Sequence, residues 1–198
     1  MAKNNQPIAK RCKALGISPA VMGYNKKETK RNSASKPKKK SEYALQLQEK
    51  QRAKFIYGVM EKQFHNYYVE AERMQGKTGE NLLSLLERRL DNVVFRMGLA
   101  NTRREARLLV SHAHYTLNGN KVDIPSILVK VGDVIAIKDS SRSTDKFKAL
   151  VEGMDSVIAP KWLEIDKTNG TAKVIALPTR EDIDFPFEEQ LIVELYSK

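Results

Sequence analysis

Helical spacing of apolar residues is the tightest constraint this chain places on its own fold. Leu82, Leu83, Leu86, Leu90, Val93, Val94 and Met97 recur at intervals of three and four and make one stripe. Gly98 follows at the position where a left-handed backbone costs no Cβ clash and ends a helix. Thr102 and Glu105 then have the spacing of a capping box, which predicts the start of a second helix. Within that helix Ala106, Leu109 and Val110 share one face, and Arg103, Arg104 and Arg107 fall mostly on the other. A strand is expected at Tyr115–Leu117, a tight turn at Asn118-Gly119, and a returning strand at Val122.

Residues 85–122 hold six arginines, and the acids nearby are too few to pair with all of them. Arginine presents a planar fork that matches phosphate oxygens, so the cluster points to a phosphate-bearing partner. A solvated helix face with scattered ion pairs is the alternative. The strongest candidates for contact with that partner are Arg103, Arg104 and Arg107, followed by Arg96, Ser111, His112, His114 and Asn118. Among Arg88, Arg89 and Arg96, one is expected to pair with Asp91 or Glu87. Lys121 beside the hairpin turn, and Arg142 with Lys146, are further phosphate candidates. Such contacts position a protein without reading bases, and RNA is read largely by shape.

Charge is distributed unevenly. The net charge is +11, yet residues 1–54 carry fifteen Lys or Arg against three acids, and the remainder is nearly balanced. Residues 1–40 therefore read as a basic arm with a sequence-independent attraction for nucleic acid through counterion release. Candidate contacts there are Lys10, Arg11 and Lys13, then Lys26, Lys27 and Arg31, then Lys38, Lys39 and Lys40. Lys50, Arg52 and Lys54 extend the set into the next helix. Leu15-Gly16-Ile17 and Val21-Met22 offer small anchors, but the arm is expected to order only against RNA. A polybasic membrane anchor is the rival reading, and no lipidation signal or hydrophobic face accompanies the charges.

Ser41 is placed to cap a helix running to about Lys54, and after Phe55 a second helical stripe continues through Phe64, Tyr67 and Ala71 to Met74. Beyond Val122 strands are expected at Val134–Ile137, Trp162–Asp166 and Thr171–Ile175, with a turn at Asn169-Gly170. Ser140–Lys148 reads as a polar, basic connection. The segment from Glu181 to Glu194 has six acids and no base, so it should face protein or solvent, while Phe187, Leu191, either Val193 or Ile192, and Leu195 pack a terminal helix onto the 45–74 helices. The fold class is therefore α+β: a basic arm (1–40), a discontinuous helical domain (41–87 completed by 181–198), and an inserted module (88–180) of two helices on a small twisted antiparallel sheet.

Catalytic readings find little to stand on. His112 and His114 have only His65 as a further histidine, and no H-E-x-x-H, serine-triad, P-loop or dinucleotide fingerprint accompanies them. Hydrogen bonds to RNA or to the turn backbone, or plain capping, account for the pair. Cys12 is the only cysteine, so no cysteine-clustered zinc site and no intrachain disulfide is expected. No apolar run approaches a membrane span, and no signal-peptide core follows Met1.

The stretch LLERRLDNVVFRMGLANTRREARLLVSHAHYTLNGNKVDIPS resembles the RNA-binding module of the S-four family of small-subunit ribosomal proteins. SEYALQLQEKQRAKFIYGVMEKQF upstream and EEQLIVELYSK at the end are also similar to that family, whereas the first forty residues match poorly. The resemblance implies a non-enzymatic constituent of the small ribosomal subunit that binds 16S rRNA, needs no cofactor and has no membrane or small-molecule partner. It further implies a place beside the channel by which mRNA enters, next to the third and fifth small-subunit proteins, and influence on decoding accuracy through the fifth. Many relatives carry a zinc-binding cysteine cluster near the N-terminus; this chain departs from that pattern and is expected to do without the metal. The family usually shows His-Gly-His where this chain has His112-Ala113-His114, which counts against a left-handed middle residue. A free RNA-binding repressor, or an accessory module of an RNA-modifying enzyme, are the rival functions; no stretch is left that is long enough for a catalytic domain.

Overall fold

The computed structural model describes residues 6–24, 40–154 and 157–197. Two compact units divide the chain: residues 1–79 with 185–198, and residues 80–184.

In the first unit, α1 (Ile8–Leu15) is followed by a 3-10 turn (Pro19–Met22), α2 (Glu42–Tyr57) and α3 (Glu61–Arg73), and α9 (Glu189–Tyr196) closes it. Ser41 caps α2 as its sequence requires, its Oγ accepting from the Ala44 N–H at 3.3 Å. The helix does not stop near Phe55. It runs to Tyr57 and ends at Gly58 (φ +64), whose N–H closes the last turn, so Ile56 belongs to α2 and the stripe restarts at Glu61. Residues 8–22, expected to order only against RNA, instead fold onto α2. Cys12, Leu15, Ile17 and Met22 are buried, and Arg52 Nε and Gln48 Nε2 donate to the Leu15 carbonyl at 2.7 and 3.1 Å. Those donors supply what the carbonyls at a helix C-terminus lack. The terminal helix packs on α2 as its apolar spacing suggests: Ile192 is buried, Phe187 stacks on Tyr57 at 6.1 Å, and Gln46 Nε2 donates to Glu194 at 3.0 Å.

The second unit contains α4 (Thr78–Glu87, its first turn straddling the division), α5 (Leu90–Arg96), α6 (Arg103–Ser111), β1 (Tyr115–Leu117), β2 (Asn120–Val122), β3 (Val134–Ile137), α7 (Asp139–Arg142), α8 (Asp145–Gly153), β4 (Leu163–Asp166) and β5 (Thr171–Val174). Its sheet is antiparallel throughout, in the order β2-β1-β3-β5-β4. Tyr115, Ile135, Ile137, Ala172, Val174 and Leu163 face one way and join α5, α6 and Trp162 in a single core. The β1–β2 hairpin turns at Asn118 (φ +51) and Gly119 (φ +79), both left-handed, as a two-residue turn between twisted strands demands.

Three local readings are corrected by tertiary packing. The stripe from Leu82 to Met97 is broken at Arg88–Arg89. Arg89 adopts an extended backbone (ψ 136°) and bridges to Leu128, while Leu90 N–H and Asp91 N–H donate to the Ile127 and Pro125 carbonyls at 2.8 and 3.2 Å. The 125–129 segment thus supplies acceptors to the exposed donors of α5. Second, Ser140–Lys148 is not a plain connection but forms α7 and the start of α8, because Phe147, Leu150 and Met154 bury one helical face. Third, Ala113 is left-handed (φ +57) although it carries a Cβ, since its N–H and that of His114 close α6 onto Val110 and Leu109. An alanine there holds strain that glycine would relieve. Ala113→Gly should therefore raise stability, by up to about 1 kcal/mol once the extra unfolded-state entropy of glycine is subtracted. A lower melting temperature would show that the Ala113 methyl group contributes more by packing than its backbone costs.

Candidate nucleic-acid interface

Helix α6 is rigidly seated. Thr102 Oγ1 accepts from the Glu105 N–H at 3.1 Å, and Glu105 reaches back to the Asn101 N–H at 3.0 Å, one residue before the position a strict capping box would use. Ala106, Leu109 and Val110 are buried, so the opposite face, centred on Arg104, Leu108 and Ser111, is turned outward. Leu108 is half exposed in the middle of this face.

The three arginines do not stand alike. Arg103 is held by α5: its Nε donates to Asn92 Oδ1 at 2.7 Å and its guanidinium lies over the Phe95 ring at 4.4 Å. Arg107 approaches Asp91 at 4.0 Å and keeps 18% of its side chain exposed. Asp91 itself is clamped by Arg89, whose Nε and Nη2 donate to the two carboxylate oxygens at 3.0 and 2.7 Å. Arg89 is fully buried and is the arginine that pairs with Asp91. Arg96 grips Glu87 in the same forked manner (3.0 and 2.9 Å) and also pairs with Asp184, so the geometry ties it to carboxylates of its own unit. Arg88 donates to the Val129 carbonyl at 3.0 Å.

At the far end of α6, Ser111 Oγ donates to the Arg107 carbonyl at 2.8 Å, and His112 is exposed. His114 is not exposed alongside it; its Nδ1 lies 2.9 Å from Ser141 Oγ and its ring packs on Phe147 at 5.2 Å. Burial keeps the His114 imidazole below its usual titration range, and the charges of His112, Lys146 and Lys138 push the same way. Both effects favour the neutral ring, which suits hydrogen bonding to Ser141 more than a role as a cation. Nothing in the sequence pairs His114 with Ser141; β3 and α7 bring them together.

Asn118 uses its side chain within the sheet: Nδ2 donates to Asp133 at 2.8 Å and Oδ1 accepts from the Val134 N–H at 2.8 Å. Lys121 is exposed on the neighbouring strand. Lys146 pairs with Glu105 at 2.8 Å, and Arg142 donates to the Asn169 carbonyl. Glu105 is held below the ordinary carboxylate range: partial burial raises it, but Lys146 and the Asn101 N–H together outweigh that.

In the first unit Lys10 and Lys13 are exposed on α1, and Arg11 donates to Gln51 at 3.1 Å. Arg52 pairs with Glu49, and Lys40 donates to Gln48. Lys50 and Lys54 converge on Glu61. Partial burial pushes the Glu61 pKa up, yet hydrogen bonds from Lys50, Lys54 and Tyr196 pull it down to about 2. Lys26, Lys27, Arg31, Lys38 and Lys39 lie outside the described residues. Among the described residues no group of three or more His, Cys, Asp or Glu is placed to hold a metal ion, and no helix is long and apolar enough to cross a membrane.

A capped helix carrying three arginines lies in one unit with a small antiparallel sheet, and comparison with known proteins gives the class of that unit: residues 88–135 match the S4 domain, an RNA-binding module. Residues 3–87 match the Ribosomal protein S4/S9 N-terminal domain. Small ribosomal subunit protein uS4 of Agathobacter rectalis is 55% identical over 200 residues, covering the whole of both chains. The uS4 protein of Clostridioides difficile is 68% identical over 161 residues, which is 81% of this chain and 77% of that protein. That of Fusobacterium nucleatum is 48% identical over the full length of both. This chain belongs to the uS4 family of small ribosomal subunit proteins, which are structural, non-enzymatic constituents of the subunit.

Proposed function

We propose that the chain is a primary binding protein for 16S rRNA that nucleates assembly of the small subunit, in the bacterial cytoplasm. The observation that carries this reading is the α6 surface, where Arg103, Arg104 and Arg107 ride on one capped helix; cations carried on a rigid helix would meet a phosphate chain at low ordering cost. The excess of bases in residues 1–54 supplies the diffuse, salt-sensitive part of the attraction. In this reading residues 1–40 act as the basic arm, seated on α2 through residues 8–22, with 41–87 and 181–198 as the helical domain and 88–180 as the inserted RNA-binding module.

The finer placement is part of the same proposal: beside the channel by which mRNA enters, next to the third and fifth small-subunit proteins, with decoding accuracy affected through the fifth. The acidic segment is the candidate protein contact. Asp184 is tied to Arg96, Glu194 to Gln46, and Asp182 caps its own turn at Thr179, so Glu181 and Glu188, both exposed, are the acids favoured for a partner.

The test is direct. The purified chain should bind 16S rRNA transcripts with an affinity that falls steeply as salt rises, and it should co-sediment with small subunits. Intact small subunits from the source cell that lack this polypeptide would reject the reading.

A further inference from the structure

A buried side-chain amide needs an explanation, because desolvating it is unfavourable unless every polar atom is bonded. Asn92 is 2% exposed on α5, among Leu90, Val93 and Val94. Its Nδ2 donates twice to Glu87, to the backbone carbonyl at 3.0 Å and to Oε2 at 2.7 Å. Glu87 is itself locked by the Arg96 fork. The amide orientation is therefore fixed by chemistry: reversing it would set an oxygen against a carboxylate and an NH2 against a guanidinium. The only direction left for Oδ1 is toward α6, where it accepts from Arg103 Nε at 2.7 Å. Phe95, one turn along the same helix, lies beneath the same guanidinium at 4.4 Å.

We propose that Asn92 and Phe95 are positioning residues for Arg103: amide and ring together set the guanidinium on the α6 surface before RNA arrives. The proposal rests on the reading of α6 as the RNA-facing helix. A long side chain ordered during folding has little rotamer freedom left to lose on binding, which raises affinity without adding a contact to RNA. Asparagine suits this role better than an apolar residue of similar volume, since it joins an acid behind it to a cation in front. Aspartate would add a second negative charge against Glu87 and lose both donors. Phe95 supplies the complementary restraint, an aromatic face 4.4 Å from the guanidinium carbon that holds the cation by its ring quadrupole.

The experiment is a pair of double-mutant cycles on the full chain, with affinity for a 16S rRNA transcript as the readout. Asn92→Ala and Phe95→Leu are made alone, and each again on Arg103→Ala; the fluorescence of Trp162, buried in the core of this unit, reports folding. Each single change is expected to weaken binding by about threefold to tenfold, and neither should weaken it further once Arg103 is gone. In the protein without RNA, the Arg103 Nε–H should be protected from solvent exchange, and Asn92→Ala should abolish that protection. Losses that multiply in the double variants overturn the positioning role. So does unchanged affinity in both single variants while Arg103→Ala is weakened, and in that case the RNA-facing reading of α6 survives. Unchanged affinity in Arg103→Ala rejects that reading at this residue and the positioning role with it. Should Asn92→Ala fail to fold, the Phe95→Leu cycle decides alone.

Discussion

Asp91→Ala is expected to lower the stability of the second unit by about 3–5 kcal/mol. Asp91 accepts both arms of Arg89, a guanidinium with no solvent exposure, and lies 4.0 Å from Arg107. Removing the carboxylate leaves a buried cation without its counter-charge, and that penalty exceeds anything a surface pair could contribute. Asp91 also sits in the first turn of α5, where a negative charge complements the helix dipole. Urea unfolding followed by Trp162, the chain's single tryptophan, isolates the unit concerned. A loss below about 1 kcal/mol would mean that the surrounding backbone satisfies Arg89 without the carboxylate. Asp91→Asn, which keeps an acceptor but not the charge, should fall between the two.

The second large effect concerns binding. Replacing Arg103, Arg104 and Arg107 together by alanine should weaken association with 16S rRNA by about 3 kcal/mol or more, a loss exceeding a hundredfold. The individual contributions do not simply add, because Arg103 and Arg107 meet adjacent residues of one helix, Asn92 and Asp91. The dependence of affinity on salt should flatten at the same time, by roughly one phosphate equivalent for each arginine that contacts the backbone. Weaker binding with an unaltered salt dependence would assign these arginines to holding α5 against α6. Unaltered affinity would return all three to a solvated face.

The positions that were legible in the sequence are those governed by short-range rules. The caps at Ser41 and Thr102, the left-handed Gly98, the Asn118-Gly119 hairpin and the apolar faces of α3 and α6 all follow from interactions spanning a few residues. The arginine cluster was legible as a cluster for the same reason, since helical spacing alone brings 103, 104 and 107 together. How each arginine is used was legible only in part. The sequence reading pairs one of Arg88, Arg89 and Arg96 with Asp91 or Glu87, and two do pair: Arg89 is buried against Asp91 and Arg96 bridges Glu87 and Asp184, while Arg103 rests on Phe95 and Asn92. Nearness to an acid pointed to Asp91 and Glu87 but not to Asp184, whose bond to Arg96 spans 88 residues. The helical face of Phe147, Leu150 and Met154 was present in the chain but masked by the polar residues around it.

By itself the sequence determined the α+β class, the helix caps, the hairpin and the net surplus of cations near its start, since each depends on backbone sterics, periodicity or charge count. Tertiary structure alone decided where the stripe breaks at Arg89, that residues 8–22 fold onto α2, that Ala113 takes a left-handed backbone, and which cations are bound to the protein's own acids. The physical reason is the same in each case. Local preferences differ by about 1 kcal/mol or less, whereas satisfying a buried donor, carbonyl or charge is worth several times that, so distant partners overrule neighbours wherever the chain leaves water.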